Sequence, residues 1–303
     1  MDPEAVAASV IGTGSWTRRQ VVLRSPDDRV AAWIAVHDRA GGRTSVDLTV
    51  APDCADGDRV AGALLGWARE AAVETARLRQ LDETQLDAMV YADDDRQQRW
   101  FAAAGYDRTR TWLELTRAVD DAEMLPQPQP GVAVRRVAKH ENDLPVASDI
   151  QVVHQMLEES FADHFNSYRE SFPEFLQRLR EDPGHRWDHW WIAEVDTEDG
   201  PLPGGALVSS VLTADADGVL GSYVDYIGVH RRARGRGVAK ALLHTVIRDA
   251  RRRGRNRVDL EVDAESPTHA DRLYASMGWT TKYSTESWHA LVTVGARDRW
   301  VSL

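Results

Sequence analysis

The feature that most constrains the fold is a glycine-rich turn between an apolar strand and an amphipathic helix. Residues 229–240 have the sequence VHRRARGRGVAK, and apolar residues recur at helical spacing from Val238 until Gly254. Gly235 and Gly237 let the backbone approach a ligand closely, and the first N–H groups of a helix have no intrahelical partner. The turn therefore predicts an α/β fold in which a helix N-terminus binds an anion, with a pyrophosphate as the natural ligand.

The rest of the second half supplies the other elements of such a fold. Alternating apolar residues and turn signals predict strands at 132–137, 190–195, 206–212, 219–229, 258–262 and 288–294. Helical spacing predicts helices at 144–161, 172–180, 237–254 and 267–277. The order is β-α-α-β-β-β-α-β-α-β, and the strand at 288–294 is expected to close this domain.

The first half repeats part of this order. Strands are predicted at 30–36, 46–50, 86–91 and 112–115, with a long helix from about Val60 and a short one at 96–104. The segment RWFAAAGY at 99–106 occupies the place that RLYASMGW at 272–279 occupies in the second half. Because little of the chain precedes Val30, the first copy lacks room for the two early helices of the second. The sequence therefore predicts a duplicated domain whose first copy is trimmed.

A proline-rich seam separates the two halves. Acidic residues after Ala118 lead into Pro126, Pro128 and Pro130, and such a stretch can continue neither a helix nor a sheet ladder. For a chain of 303 residues, the seam predicts a first domain at 1–117, a stiff linker at 118–130 and a second domain at 131–303.

Net charge limits the partners of the chain. There are 37 Lys and Arg against 48 Asp and Glu, and the formal charge of −11 disfavours a surface that neutralises nucleic-acid phosphates. No nucleic-acid partner is therefore expected, and a cationic acceptor is mildly favoured. One basic cluster follows the turn, and a nucleic-acid patch and a solvated helix face are both open explanations for it: Arg248, Arg251, Arg252, Arg253, Arg255 and Arg257.

Three further sequence features argue against a disulfide-linked, membrane-bound, secreted or metal-binding protein. Cys54 is the only cysteine, so the chain can form no intrachain disulfide and no multi-cysteine zinc site. No apolar run reaches the roughly 18 residues of a membrane span, and the N-terminus is acidic where a signal peptide would be basic. We expect a cytoplasmic protein with no membrane partner and no metal, since the histidines at 154, 164, 185 and 189 lack ligand spacing.

The turn and a later segment together resemble the signature of a known family. R-x-x-G-x-G at 232–237, followed by A-x-x-x-Y-x-x-x-G-W at 270–279, resembles the GCN5-related N-acetyltransferases (GNAT). The resemblance covers residues 131–303 well and 30–116 weakly. It implies two tandem GNAT-like α/β domains, each with a mixed, mostly antiparallel central sheet flanked by helices, of which the first is trimmed and degenerate. Acetyl-CoA is the co-substrate that this resemblance implies.

The resemblance also implies which residues contact acetyl-CoA. Ile227, Gly228 and Val229 would offer backbone groups to the pantetheine arm and the thioester. The pyrophosphate would be held by the turn and the start of its helix: Arg232, Arg234, Gly235, Arg236, Gly237, Val238, Ala239 and Lys240. Ser266 stands where the family usually has an asparagine that helps to orient the cofactor, which is a departure from the pattern.

The first half has a different turn after its strand at 46–50. Asp53, Asp56, Gly57 and Asp58 follow that strand, the paired glycines are missing, and the acids would repel a pyrophosphate. The first domain is therefore expected not to bind acetyl-CoA productively and to act as a structural or pocket-forming partner.

Acetyl transfer to an amine needs a base for the amine proton and an acid for the departing thiolate. Tyr274 falls on the family's position for that acid, with core packing as the alternative. Asp225, on the central strand beside Tyr223, is the slightly preferred base for a small acceptor. Glu261, in Leu-Glu-Val, is similar to the glutamate assigned this role in the ribosomal-protein alanine acetyltransferases. For each carboxylate, a solvent-facing strand position is the alternative.

The predicted function is acetyl-CoA-dependent transfer of an acetyl group to a primary amine of a small molecule, directly and in the second domain. A non-catalytic acyl-CoA sensor or interaction module and a protein N-terminal acetyltransferase are the open alternatives. The segment FADHF at 161–165 resembles an acceptor-side loop, and Trp187, Trp190 and Trp191 belong either to a pocket or to the core. The sequence leaves the acceptor and the oligomeric state open.

Overall fold

The computed structural model describes residues 6–7, 10–11, 15, 17–39, 42–162 and 171–295. The strands are β1 (Arg18–Arg24), β2 (Val30–Arg39), β3 (Arg43–Val50), β4 (Glu83–Tyr91), β5 (Asp107–Ala118), β6 (Val132–Arg136), β7 (His185–Thr197), β8 (Gly200–Leu212), β9 (Gly221–Val229), β10 (Arg257–Asp263) and β11 (Thr280–Thr293). The helices are α1 (Gly57–Leu78), α2 (Asp95–Ala103), α3 (Ala147–Phe161), α4 (Phe172–Arg180), α5 (Val238–Arg252) and α6 (Ala270–Ser276).

The chain divides into two compact units. The C-terminal unit contains Glu114–Val262 and Ala270–Lys282. The N-terminal unit contains most of the chain before Glu114, together with Asp263–His269 and the chain from Tyr283 onward. β5 and β11 are each divided between the units, so both units include residues from either side of the proline-rich seam.

The C-terminal unit is built on the strand order β10-β9-β8-β7-β6. β6 to β9 pair antiparallel, whereas β9 pairs with β10 in parallel. On one face, Trp190 of β7 packs with Val153 and Leu157 of α3 in the buried core. On the other face, a Cβ atom added at Gly205 would lie 2.9 Å from Val238, so α5 packs directly on the strands.

The N-terminal unit has a similar arrangement in the strand order β1-β2-β3-β4-β11. β1, β2 and β3 pair antiparallel, β3 and β4 pair in parallel, and β4 and β11 pair antiparallel. The strand pairing within each unit is therefore mixed and mostly antiparallel, as predicted. Helix α1 buries one face of small and branched side chains in the core beside the strands: Ala61, Leu64, Leu65, Ala68, Ala71, Ala72 and Ala76.

The first copy is trimmed, as predicted. Between β1 and β2 the chain has only a tight turn, closed by the Ser25 N–H donating to the Arg29 C=O at 2.9 Å. The second copy has α3 and α4 between the corresponding strands β6 and β7. β1 itself was not predicted, because its sequence RRQVVLR shows no alternation and the strand pairs with β2 alone at the edge of the sheet.

The last strand does not close the second half, and the prediction for 288–294 is wrong in this respect. Residues 285–293 of β11 pair antiparallel with Tyr91–Glu83 of β4, within the N-terminal unit. Alternating apolar residues predict a strand and its buried face, but they do not specify which strand becomes its neighbour.

The proline-rich seam forms neither helix nor strand, as predicted, yet it is fastened to α5. The Arg251 guanidinium donates to the Glu123 C=O at 2.9 Å, and Arg248 donates to the Pro126 C=O. At the start of the seam, Arg117 binds the Glu123 carboxylate at 2.6 Å. The segment therefore lies along the helix rather than spanning open solvent.

The explanation of the basic cluster as a solvated face needs correction, because several of its arginines have intramolecular partners. Arg253 binds the buried Asp249 carboxylate at 2.7 Å, and the buried Arg255 donates to Ser222 Oγ at 2.8 Å. Arg257 donates to backbone carbonyls of the preceding loop. These three arginines join α5 and β10 to neighbouring segments, whereas the Arg252 side chain is 63% exposed, so only part of the cluster is a solvated face.

Candidate active site

The glycine-rich turn lies between β9 and α5, in the C-terminal unit. His230 begins it, and its Nδ1 accepts a hydrogen bond from the Arg232 N–H at 3.2 Å across a 3₁₀ turn at Arg231–Ala233. Gly235 and Gly237 then have φ angles of 79° and 80°, a left-handed conformation that residues with a side chain rarely adopt. The paired glycines are therefore required by the path of the backbone into α5.

The start of α5 is suited to an anion. Gly237 is its N-cap and supplies no side-chain acceptor, and the first turn contains no acidic residue. The N–H groups of Val238, Ala239 and Lys240 consequently have no intrahelical acceptor. Together with the positive end of the helix dipole, such donors favour a negative group by about 0.3–1 kcal/mol per charge at an exposed site.

The basic side chains of the turn differ in their surroundings. Arg232, Arg234 and Lys240 are exposed beside the helix start. Arg236 is partly buried, and its guanidinium donates to the Asp196 C=O at 3.0 Å. In this structure Arg236 therefore holds the turn in place, while the other three remain directed to solvent.

The proline-rich seam also reaches the turn, which the sequence did not indicate. A Cβ atom added at Gly237 would lie 2.9 Å from the side-chain amide carbon of Gln129. The Gln129 side chain therefore packs on the backbone from which α5 begins, and it is a neighbour of any anion bound there.

The two parallel strands of this unit separate next to the turn. β9 pairs with β10 only over residues 222–224, opposite 258–260. Immediately afterwards the pairing of β9 with β8 shifts register, and Asp225 is the extra residue of this bulge. Bulges of this kind bend a strand and end its pairing on one side.

Beyond the bulge, β9 pairs with β8 alone. Ile227, Gly228 and Val229 pair with 207, 206 and 205 of β8. On the other edge of β9, no pairing with β10 covers these three residues, so backbone groups there are open to an extended ligand. A Cβ atom added at Gly228 would lie 2.9 Å from Ser160 of α3, so that helix passes close to the strand.

The predicted base Asp225 is partly buried beside β8. Its carboxylate accepts a hydrogen bond from Ser210 Oγ at 3.1 Å. Burial, with the nearby charge of Asp182, raises the pKa of Asp225 to about 8. The carboxyl group therefore holds its proton at neutral pH.

Glu261, the other predicted base, follows the end of the β9–β10 pairing. Its side chain is exposed to solvent, yet the surrounding protein reduces its hydration and raises its pKa to about 7. Glu261 therefore titrates closer to neutral pH than an ordinary carboxyl group does.

A third carboxylate, Glu114 of β5, joins these acids and was missed by the sequence reasoning. Glu114 Oε2 accepts a hydrogen bond from the Tyr223 hydroxyl at 3.1 Å. Burial raises the pKa of Glu114 to about 7, and the charges of Glu261 and Asp259 add to the rise. The signal was present, because Trp-Leu-Glu-Leu at 112–115 has the same apolar-Glu-apolar pattern as Leu-Glu-Val at 260–262.

Tyr274 lies on α6 in the same unit. Its side chain is 6% exposed, and its ring meets Trp279 edge to face at 5.9 Å between centroids. Burial raises the pKa of Tyr274 to about 12, so the phenol holds its proton at neutral pH. The residue is both a core aromatic and a group chemically able to donate a proton.

Other predicted residues lie elsewhere or in the core. Ser266 belongs to the segment of the N-terminal unit at Asp263–His269, and its Oγ lies 2.9 Å from Thr268 Oγ1. Trp190 and Trp191 are buried, so packing accounts for them. The acceptor-side residues Asp163 and His164 lie outside the described residues.

Two further properties concern the described part of the chain. No helix in it is long and apolar enough to cross a membrane. The same residues contain no group of three or more His, Cys, Asp or Glu that could hold a metal ion.

A parallel strand pair that separates beside the start of a helix forms an anion-binding site that several α/β folds share, and the comparisons with known proteins assign this one to the acetyltransferases. Residues 153–279 match the sequence profile of the Acetyltransferase (GNAT) family, so the chain contains a GNAT domain. GNAT acetyltransferases use acetyl-CoA as their co-substrate.

The relatives of the chain extend this likeness beyond the matched segment. It is 27% identical over 276 residues to a mycothiol acetyltransferase of Kocuria rhizophila, covering 89% of this chain and 81% of that protein. A GCN5-related N-acetyltransferase from Sphaerobacter thermophilus has 24% identity and a TM-score of 0.74, covering 97% of this chain and 87% of that one. A tandem GNAT protein from the clavulanic acid biosynthesis pathway has 17% identity and a TM-score of 0.67, covering 97% and 88%. The predicted tandem GNAT fold is confirmed.

Proposed function

We propose that the C-terminal unit transfers an acetyl group from acetyl-CoA to the primary amine of a small molecule. The observation that carries the proposal is the separation of β9 and β10 beside the glycine-rich turn, which combines a slot for an extended arm with donors for a pyrophosphate. The likeness to a mycothiol acetyltransferase, a name that refers to mycothiol rather than to a protein, supports a small acceptor.

The residues of the turn fit the anionic part of acetyl-CoA. The N–H groups of Val238, Ala239 and Lys240 would bind the pyrophosphate, and Arg232 and Arg234 would add positive charge. Backbone groups of 227–229 on the open edge of β9 would pair with the pantetheine arm. Bound acetyl-CoA supplies the thioester carbonyl that the amine attacks.

Glu261 is the base that this proposal favours over Asp225. An alkylammonium ion with a pKa near 10.4 must lose a proton before it can attack, and a base is most effective when its own pKa lies near the working pH. Burial raises the pKa of both acids toward the working pH, but the exposed Glu261 side chain can meet an amine, whereas Asp225 is partly buried and bound by Ser210. The pKa of Glu114 is raised chiefly by burial and in part by the charge of Glu261, so Glu114 would influence the titration of this base.

Tyr274 is the proposed acid. As the new C–N bond forms and the C–S bond breaks, the amine proton passes to Glu261 and the Tyr274 hydroxyl donates its proton to the departing sulfur. The phenolate then recovers a proton from solvent, and Glu261 releases one. Burial raises the pKa of Tyr274 to about 12, above the usual pKa of a thiol, so the donation is uphill and the phenolate returns readily to the neutral form.

Calorimetric titration with acetyl-CoA, followed by a thiol-release assay over small amines and peptide N-termini, tests the proposal. We expect binding, and turnover with at least one small amine. Binding without turnover on any amine would favour the acyl-CoA sensor, and turnover on peptides alone would favour a protein N-terminal acetyltransferase. If acetyl-CoA did not bind, both the enzyme and the sensor would be excluded.

A further inference from the structure

The strands β5 and β10 are neighbours in the sheet, and two contacts within the C-terminal unit define their register. Thr116 Oγ1 donates to Asp259 Oδ1 at 2.6 Å. Just beyond the two strands, the Val119 N–H donates to the Asn256 C=O at 2.8 Å. A step of three residues forward along β5 thus corresponds to a step of three residues back along β10. The two strands therefore run antiparallel, with these residues directly opposite each other.

The same register places Glu114 of β5 directly opposite Glu261 of β10. Hydrogen-bonded and non-hydrogen-bonded pairs alternate along antiparallel strands, so the bond between 119 and 256 makes 114 and 261 a non-hydrogen-bonded pair. In such a pair the Cα atoms are about 4.5 Å apart, and the two side chains leave the same face of the sheet. The carboxyl groups of Glu114 and Glu261 therefore lie within reach of each other.

The basic side chains next to this pair belong to another acid. Lys282 Nζ lies 3.5 Å and Arg257 Nε lies 3.9 Å from the buried carboxylate of Asp259. Within the described part of the chain, no ion pair joins a basic side chain to Glu114 or Glu261. Like charges directly opposite each other destabilise a pair of strands, so two ionised glutamates would be unfavourable here. A single proton held between the two carboxyl groups removes this repulsion.

The two members of the pair differ in access to solvent. Glu114 is 7% exposed, and its Oε2 accepts a hydrogen bond from the Tyr223 hydroxyl at 3.1 Å. Glu261 is exposed. Tyr223 and Asp225 are the titratable groups of the neighbouring strand β9 that interact with these acids. Only Glu261 can therefore meet an amine, and Glu114 can affect the reaction only through Glu261.

We propose that Glu114 and Glu261 form a cross-strand carboxyl dyad that shares one proton, in which Glu261 meets the amine and Glu114 is a positioning residue. The role of the dyad in catalysis rests on the proposed acetyl transfer. As the C–N bond forms, the singly protonated dyad accepts the proton that the reacting nitrogen loses, so both carboxyl groups are then neutral. One proton passes to solvent afterwards, which restores the starting state. The negative charge that the two groups share keeps Glu261 more basic than an isolated glutamate.

A titration of the carboxyl groups tests the shared proton without any substrate. The side-chain carboxyl ¹³C NMR signals of the full chain can be assigned with Glu114→Gln and Glu261→Gln. We expect Glu261 to titrate in two steps in the wild type, because coupled acids lose their protons in two macroscopic steps. In Glu114→Gln it should titrate in one step, about one pH unit or more below the upper step of the wild type. An identical titration of Glu261 in the two proteins would overturn the dyad.

The choice of substitutions protects this test from a failure to fold. Glutamine at 114 retains an oxygen that can accept the Tyr223 hydroxyl. The reciprocal change Glu261→Gln is at an exposed position, and it should leave Glu114 with a single step at lower pH. A titration of Glu114 that did not change in Glu261→Gln would also contradict the shared proton.

The pH dependence of kcat/KM tests whether the dyad serves acetyl transfer. Glu114→Gln should move the acidic limb down by about one pH unit and lower the plateau, because a less basic Glu261 removes the proton less readily. The KM for acetyl-CoA should not change. Glu83→Gln removes an exposed acid of β4 in the N-terminal unit and, as the control, should leave the profile unchanged. A purely structural Glu114 predicts lower activity at every pH with the limb in place, and this result would overturn the positioning role.

The two experiments separate this inference from the proposed function. A two-step titration of Glu261 in a protein that acetylates no amine would support the shared proton and contradict the proposed function. Acetyl transfer with an acidic limb that Glu114→Gln does not move would support the proposed function and contradict the role of Glu114.

Discussion

Two acidic residues of the C-terminal unit have different pKa values because the fold leaves them with different amounts of hydration. Asp225 and Glu261 are both carboxylic acids next to the separating strands, yet their pKa values are about 8 and about 7. The more enclosed acid is neutral at pH 7, and the other is partly ionised. A sequence shows both as acidic residues between apolar neighbours, and only the fold decides how much water each retains.

The pH dependence of kcat/KM distinguishes these two acids. A base must be deprotonated to act, so activity should fall as the pH drops below the pKa of that base. We expect the acidic limb at about pH 7, as the pKa of Glu261 requires. Glu261→Gln should lower kcat/KM by about 10²–10⁴ and remove this limb, whereas Asp225→Asn should retain it. A limb at about pH 8 that Asp225→Asn abolishes would instead assign the base to Asp225.

Tyr274→Phe separates the catalytic explanation of this residue from the structural one. The phenylalanine ring keeps the edge contact with Trp279, so we expect Tm to change little and the KM for acetyl-CoA to stay the same. Loss of the proton donor should lower kcat by about 10²–10⁴. Tyr91→Phe, on an exposed tyrosine of β4, is the matched control and should have no effect. A Tyr274→Phe enzyme of normal kcat would leave only the packing role.

Secondary-structure elements in this chain were predictable where their signals are local. The turn into α5 is encoded by Gly235 and Gly237, and the helix that follows by the spacing of its apolar residues. β1 and the partner of β11 were not predictable, because both depend on pairing with strands distant in the sequence. Gln129 was missed for the same reason, whereas Glu114 had a local signal in its apolar-Glu-apolar pattern but no local indication of its partners. Each reaches the candidate site through the fold and not through neighbouring residues.

The role of the turn in binding acetyl-CoA can be tested with two alanine substitutions that should destabilise the backbone equally. Gly235 and Gly254 flank α5, have φ angles of 79° and 67°, and have no atom within 4 Å of an added Cβ. Alanine at either position should lower the free energy of unfolding by about 1–2 kcal/mol, because both require a left-handed backbone. Only Gly235→Ala should also raise the KM for acetyl-CoA, by about tenfold. An equal KM for the two variants would argue against the turn as the pyrophosphate site.

At the scale of the whole molecule, the chain order and the compact units do not coincide. Residues 285–293 complete the sheet of the N-terminal unit, and Glu114–Ala118 belong to the C-terminal unit. We therefore expect a fragment of residues 131–303 to lose β-structure and solubility, measured by circular dichroism and sedimentation, because its last strand lacks β4. Co-expression with residues 1–130 should restore a soluble complex. A fragment as stable as the full chain would show that β11 does not need this pairing.

Stability of the whole molecule should depend on pH through the acids whose pKa is raised. Asp225 has a pKa of about 8 when folded and about 3.9 when unfolded, so its contribution is fully present below pH 4 and is lost as the pH rises to 8. The partly buried His185 and the buried His189 have lowered pKa values of about 4, so they act oppositely, and their contribution is lost as the pH falls below about 6.5. A comparison of variants isolates the acid from the histidines. The free energy of unfolding of Asp225→Asn, relative to the wild type, should rise between pH 4 and 8 by at most about 1.4 kcal/mol per pH unit in urea titrations. Asp217→Asn, in an exposed turn, is the control and should show no such trend. If the difference in unfolding free energy between Asp225→Asn and the wild type did not change with pH, the Asp225 carboxyl group would be well hydrated in the folded chain.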